Sequence, residues 1–137
     1  DELRALFAAR DCWPSVSNAT LIETSPAIQR WGELLASGFA FRSIDWRASD
    51  LAAAAAGLSQ HDLVMLAYVL DELAPAAIGP LIDRLWQATA DTIVVVEPGT
   101  PAGWSRMLLV RERLIAAGAH LVAPCPHALA CPLVAPD

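Results

Sequence analysis

"DLVMLAYVL", residues 62–70, and "TIVVVE", residues 92–97, are the stretches on which the fold turns. Both are almost continuously apolar. A strand with one wet face alternates, whereas an unbroken apolar run belongs to a strand covered by helices on both faces, the usual state of a parallel sheet. The two runs are therefore expected as central strands. Two further β-rich runs, "ATLIE" (19–23) and "FAFRSI" (39–44), come before them and alternate with helical patterns, the order of βαβ units. "HLVAP" (120–124) reads as one more strand.

The helices carry their own punctuation. Ile78, Leu81, Ile82, Leu85 and Trp86 repeat with helical spacing and draw one apolar stripe, with Pro75 or Pro80 in the first turns. A second helix is expected from about Gly103 to Ala117, with Trp104, Met107, Leu108, Arg111, Leu114 and Ile115 on related faces and Gly118 as its stop. "SPAIQRWGELLAS" (25–37) opens with Ser25 as N-cap and Pro26 as first helical residue, and Gly38 follows it. "AAAAAG" (52–57) reads as a short helix, and the opening "DELRALFAARDCW" as a helix already under way, carrying Leu3, Leu6 and Phe7. A doubly wound α/β fold normally begins with a strand and a glycine-rich turn. The expected architecture is thus α/β with a mostly parallel sheet, one partial domain over 1–137, lacking the first strand and the glycine-rich loop.

Composition narrows the function. At 137 residues, 55% hydrophobic and 18% charged, the chain has the size and balance of one globular domain. No apolar run reaches membrane-spanning length and no leader pattern opens the chain, so no membrane role and a cytoplasmic, bacterial address are expected. Fifteen acidic against nine basic residues, a net charge of −6, argue against a stand-alone nucleic-acid binder, which needs a cationic surface to displace phosphate counterions. All nine basic residues are arginine, which reads as compositional bias. Three cysteines cannot all pair within one chain, so a disulfide framework is not expected. The P-loop, zinc-protease and α/β-hydrolase motifs are missing, and no residue reads as a general base.

Ligands of open α/β sheets bind at the carboxyl ends of strands, so residues there are the first candidates. Glu23 closes the first strand and has two readings: a carboxylate that accepts ribose hydroxyls, or an acid stabilising the start of the helix near Ser25. Asp45 ends "FRSID" and has the alternatives of an adenine-side acid, with Trp46 as stacking face, or a loop acid beside a core tryptophan; Asp50 competes for the same role. Ala67 and Tyr68 fall where a strand would run under a cofactor, although tyrosine there is more often core. Glu97 ends a central strand and leads into the stiff loop "PGTPAG" (98–103). Near the end, "APCPHALACPL" (123–133) places Cys125, His127 and Cys131 together. Three zinc ligands are one reading and two apolar thiols another; the six-residue spacing, with a proline after each cysteine, is unlike a tight zinc knuckle.

"SPAI", "DLVMLAYVLDEL", "VVVEPGTPAGW", "GAHLVAPCPH" and "CPL", in this order after an acidic strand end, resemble the methyltransferase-like family of small-ribosomal-subunit assembly factors, bacterial and mitochondrial. The resemblance covers nearly the whole chain, and "VEPGTPAG" and "APCPHxxxCP" are its most specific parts. It implies a Rossmann-like class I methyltransferase fold that takes S-adenosylmethionine, with Glu23 on the ribose and Asp45 on the adenine side. It implies an rRNA methylase in small-subunit assembly, partnered by small-subunit RNA or a pre-ribosomal particle, or else a non-catalytic factor that keeps the fold. It further implies that Cys125 and Cys131 are two of the ligands of a [4Fe-4S] cluster, with the others supplied downstream. Cys12 is expected as a core thiol. A sheet without its first strand leaves an unpaired edge beside the Glu23 strand, where contact with a second copy is expected.

Overall fold

The computed structural model describes residues 2–133. In chain order the elements are α1 (Glu2–Cys12), β1 (Asn18–Ile22), α2 (Pro26–Ala36), β2 (Ser43–Arg47), α3 (Leu51–Ala55), β3 (His61–Ala67), a 3-10 turn (Leu70–Glu72), α4 (Pro75–Gln87), β4 (Thr89–Val96) and α5 (Pro101–Ala116). They fall into two compact units, one up to Leu58 and one from Ser59. Each unit holds one parallel strand pair with its helices, a mixed α/β arrangement that is part of a Rossmann-like fold.

In the first unit β1 runs parallel to β2, Asn18 opposite Ser43 through Ile22 opposite Arg47. The helix starts obey the expected chemistry. Ser25 Oγ accepts from the Ile28 amide at 3.4 Å with Pro26 at the first helical position, and Asp50 Oδ1 accepts from the amides of Ala52 and Ala53 at 2.6 and 3.2 Å. Gly32 is buried in α2 because Trp46 crosses it: a Cβ there would run into Cη2 of the indole. Leu6, Ala9, Leu21, Ala36, Ala54 and Ala55 are the buried apolar residues.

The second strand lies later than the sequence suggested, at 43–47 instead of 39–44. The aromatic residues that made 39–44 look β-rich are used elsewhere. Phe39 stacks on Phe7 of α1 with ring centroids 4.1 Å apart, and the Arg10 guanidinium lies 5.0 Å from the centre of the Phe41 ring. Pairing with β1 begins only where Arg42 and Ser43 donate to the Ser17 carbonyl.

In the second unit β3 and β4 are parallel, with Leu63 opposite Thr92 and Ala67 opposite Val96. The α4 stripe is as expected: Ile78, Leu81, Ile82 and Leu85 are buried, and Trp86 is half-buried with Nε1 donating to the Ala117 carbonyl at 3.3 Å. Thr100 Oγ1 caps α5 by accepting from the Gly103 amide at 3.0 Å, and Gly118 ends it at φ +91°, the left-handed value for which glycine is used. The strands are less covered than their apolar runs implied. Only Leu66 of β3 is fully buried, since α4 lies on β4 while α5 packs mainly on α4.

Residues 120–124, expected as a strand, are irregular, and Val122 is 82% exposed. A strand needs a ladder partner, and among the described residues β3 and β4 pair only with each other. No helix among the described residues is long and apolar enough to cross a membrane.

Across α4 and α5, Arg113 Nε and Nη2 donate to the two carboxylate oxygens of Asp83 at 2.7 and 2.5 Å. The guanidinium hydrogen bond, helped by its charge, holds the Asp83 carboxyl below its ordinary value of 3.8 and raises Arg113. A carboxyl depressed in the folded state stabilises above its unfolded pKa and loses that contribution as pH falls through the lower folded value. Asp83→Asn is therefore expected to be less stable than wild type near neutrality, with the difference closing below about pH 4. Urea midpoints of the two proteins against pH check this.

Candidate functional site

In the first unit Glu23 directly follows β1 and continues the ladder, its amide donating to the Arg47 carbonyl at 3.1 Å. Oε1 accepts from the Ser25 amide at 2.7 Å, and its carbonyl accepts from Gln29 Nε2 at 2.5 Å. The helix-start reading and the strand-tip reading thus meet in one side chain: one oxygen serves α2, and a ribose would have to be held by the other.

Asp45 is not at a strand end. It sits mid-β2 opposite Thr20, 58% exposed at the side chain, and accepts from Arg47 Nε at 2.9 Å. The later start of β2 explains this shift. Trp46, half-buried, is packed against Gly32, and Asp50 is spent on capping α3. Of the acids singled out in this unit, Glu23 alone stands at the carboxyl end of a strand.

In the second unit Ala67 ends β3 opposite Val96, and Tyr68 comes next at φ +57°. It is the one non-glycine residue of positive φ among those described. For an L-residue without a locally bonding polar side chain this conformation costs about 1–2 kcal/mol. Neighbouring bonds impose it. The Tyr68 amide donates to the Val96 carbonyl at 2.9 Å, and two residues later the fully buried Leu70 donates its amide to Glu97 Oε1 at 3.1 Å. The tyrosine is left 47% exposed at the strand end.

Glu97 is the centre of this region. Its side chain is 1% exposed, and its second oxygen, Oε2, accepts from Arg106 Nε at 2.9 Å. A carboxylate removed from water needs such partners, because an unpaired one costs several kcal/mol. One side chain therefore ties the end of β4, the turn after β3 and the first turns of α5. Sequence reading placed Glu97 at the strand end but missed Arg106; an arginine on the second turn of a helix that begins a few residues after an apolar strand's acidic end was the available signal.

The cysteine-bearing segment hangs on α5. Cys125 is exposed and Cys131 half-buried, both as free thiols, and no three metal-ligating side chains converge among the described residues. Two thiols are half of the donor set of a four-thiolate cluster. Arg111 Nη2 donates to the carbonyls of His127 and Leu129 at 2.9 and 2.7 Å, and Trp104 Nε1 to that of Leu133 at 3.3 Å. Cys12, expected in the core, is exposed at the end of α1, where neighbouring Trp13 is also 44% exposed.

The profile of the family described as mitochondrial small ribosomal subunit Rsm22 matches residues 3–137. The chain belongs to this family. It is also similar to a human protein named Ribosome assembly protein METTL17, mitochondrial, at 36% identity over 84 aligned residues, covering 53% of this chain and 18% of that protein. The chain spans about a fifth of the length of that relative. In this Rsm22-family chain the stretch "VEPGTPAG" (96–103) holds both Glu97 of the clasp and the Thr100 cap of α5.

Substitutions at two positions test the geometry. Glu97→Gln keeps an acceptor for Leu70 but leaves Arg106 without its counter-charge; because Arg106 is 21% exposed, a loss of about 3 kcal/mol is expected, at the lower end for broken buried pairs. Tyr68→Gly should match or exceed wild-type stability by up to about 1 kcal/mol, since glycine adopts this φ freely, while Tyr68→Val should lose about 1 kcal/mol, since a β-branched side chain is worse than tyrosine at positive φ. Chemical denaturation reads both.

Proposed function

We propose that this chain is the methyltransferase-like part of a small-ribosomal-subunit assembly factor, an S-adenosylmethionine-dependent rRNA methylase in which Glu23 holds the ribose of the methyl donor. The observation that carries this reading is the position of Glu23, the acid that directly follows a parallel strand in a chain of the Rsm22 family. S-adenosylmethionine supplies a sulfonium methyl to a nucleophile held in line. The chain's own contribution is to bind and orient, which is where most of the acceleration of such a transfer arises. Small-subunit RNA or a precursor particle is the proposed partner. With a net charge of −6, this chain draws its RNA affinity from elsewhere in the assembly.

One observation favours a second reading, an assembly factor that binds without catalysing. Glu97 is the carboxylate at the end of the β4 strand, and both of its oxygens are already taken, by Leu70 and Arg106. It cannot serve as a base without opening the clasp. Cys125 and Cys131 are proposed as two ligands of an iron–sulfur cluster completed by thiolates outside the described residues.

Calorimetric titration with S-adenosylmethionine, in the full-length protein context, is expected to show binding that weakens about tenfold or more in Glu23→Ala, the loss of hydrogen bonds to a charged acceptor. Absence of binding by wild type, or equal binding by the variant, overturns the ribose assignment. Labelled methyl transfer to small-subunit particles then separates the two readings, binding without transfer selecting the second. Anaerobically purified protein should carry iron and visible charge-transfer absorbance that Cys125→Ser and Cys131→Ser abolish; zinc without iron overturns the cluster.

A further inference from the structure

Arg111 occupies an apolar side of α5, among Leu108, Leu114 and Ile115, where a charged residue has no packing reason to be. Its partners supply the reason. The same Nη2 donates to the carbonyls of His127 and Leu129, and both residues lie between Cys125 and Cys131. Trp104, two helical turns earlier, donates to the Leu133 carbonyl just beyond Cys131. Within the segment, the His127 amide donates to the Cys125 carbonyl at 2.8 Å, which turns the chain tightly after the first cysteine. Cys131 lies in a shallow hollow with Leu108, Arg111, Ile115 and Leu133.

Segment 123–133 has no regular secondary structure, so nothing in its own backbone ladder sets the relation between the two thiols. The bonds from α5 are the constraint. A guanidinium is suited to this, being always charged and rich in donors, and hydrogen bonds from a charged donor are the stronger kind. We propose that Arg111 is a positioning residue for the thiol pair: by anchoring the backbone between Cys125 and Cys131 to α5, it presents both sulfurs to a single thiophilic acceptor. This rests on the reading of the two cysteines as ligands, and concerns how the chain prepares them before any acceptor arrives.

The probe is phenylarsine oxide, which takes two thiols at once: two As–S bonds form, and the two thiol protons leave with the oxide oxygen as water. The protein tested is residues 1–137 carrying Cys12→Ser, in which Cys125 and Cys131 are the thiols present. Wild type is expected to bind one equivalent. Arg111→Met, which keeps the chain length and removes the donors, should bind at least about fivefold more weakly, the effect of losing two such hydrogen bonds. Arg111→Lys, whose ammonium can still reach carbonyls, should recover most of the affinity, and Trp104→Phe should lose less than Arg111→Met. In parallel, amide hydrogen exchange over 127–133 should accelerate in Arg111→Met while exchange in α4 stays unchanged, which separates loss of the anchor from loss of the fold. The proposal is overturned if Arg111→Met binds the arsenical as tightly as wild type, or if wild type binds no more tightly than a Cys131→Ser control. A positive arsenical result in a protein that takes up no iron would sink the cluster and leave this positioning role standing.

Discussion

A carboxylate taken out of water has to be met by partners, and at Glu97 that requirement organises the second unit. Its two oxygens are divided between the amide of Leu70 and the guanidinium of Arg106. The first bond fixes the turn after β3 and the second fixes the start of α5, so the ends of both strands and the head of the helix are set by one side chain. The left-handed backbone at Tyr68 is held between its own amide's bond to the Val96 carbonyl and the Leu70–Glu97 bond. Strain of this kind persists only where the surroundings over-determine it.

The rest of α5 depends on that fixed start. Farther down the helix Arg113 reaches Asp83 on α4, and Arg111 reaches the segment that carries the two cysteines. Three arginines on one helix thus make three different attachments, to a strand end, to a neighbouring helix and to an irregular tail. In a chain without lysine this is a reasonable division, since arginine offers several directed donors from one group where lysine offers a point charge. The first unit works on a smaller scale. Its buried residues are largely alanine and leucine, and Glu23 bonds the start of α2 as well as ending β1.

Much of the fold was legible in the sequence where the signal is local. Ser25–Pro26 and Thr100–Pro101 start helices because a hydroxyl cap and a proline act within one turn, and Gly118 stops one because its φ is a property of the residue itself. The first strand, expected at 19–23 from its β-rich composition, lies at 18–22, and the stripe on α4 was readable from periodicity. The strand at 43–47 was misplaced because Phe39 and Phe41 look like sheet residues but are spent on α1, a partner more than thirty residues away in the chain. Residues 120–124 have a strand's composition and no strand to pair with among the described residues. Of the candidate site, Glu23 was legible as the residue that closes the first strand, Tyr68 was expected inside a strand over 62–70 but lies just past β3, which ends at Ala67, and Asp45 was assigned to a strand end that lies two residues later.

The order of helices and strands up to α5, the parallel character of the pairs and the family could all be read from the chain unaided, because caps, apolar periods and short motifs act over a few residues. The work of the polar side chains could not, and it was settled by the folded molecule. Glu97 finds partners 27 and 9 residues away, and Arg111 finds carbonyls 16 and 18 residues away. No local rule specifies such pairings: those of Glu97 follow from burial, which removes the water that would otherwise satisfy its carboxylate, and those of Arg111 from a fold that brings the exposed carbonyls of His127 and Leu129 beside α5.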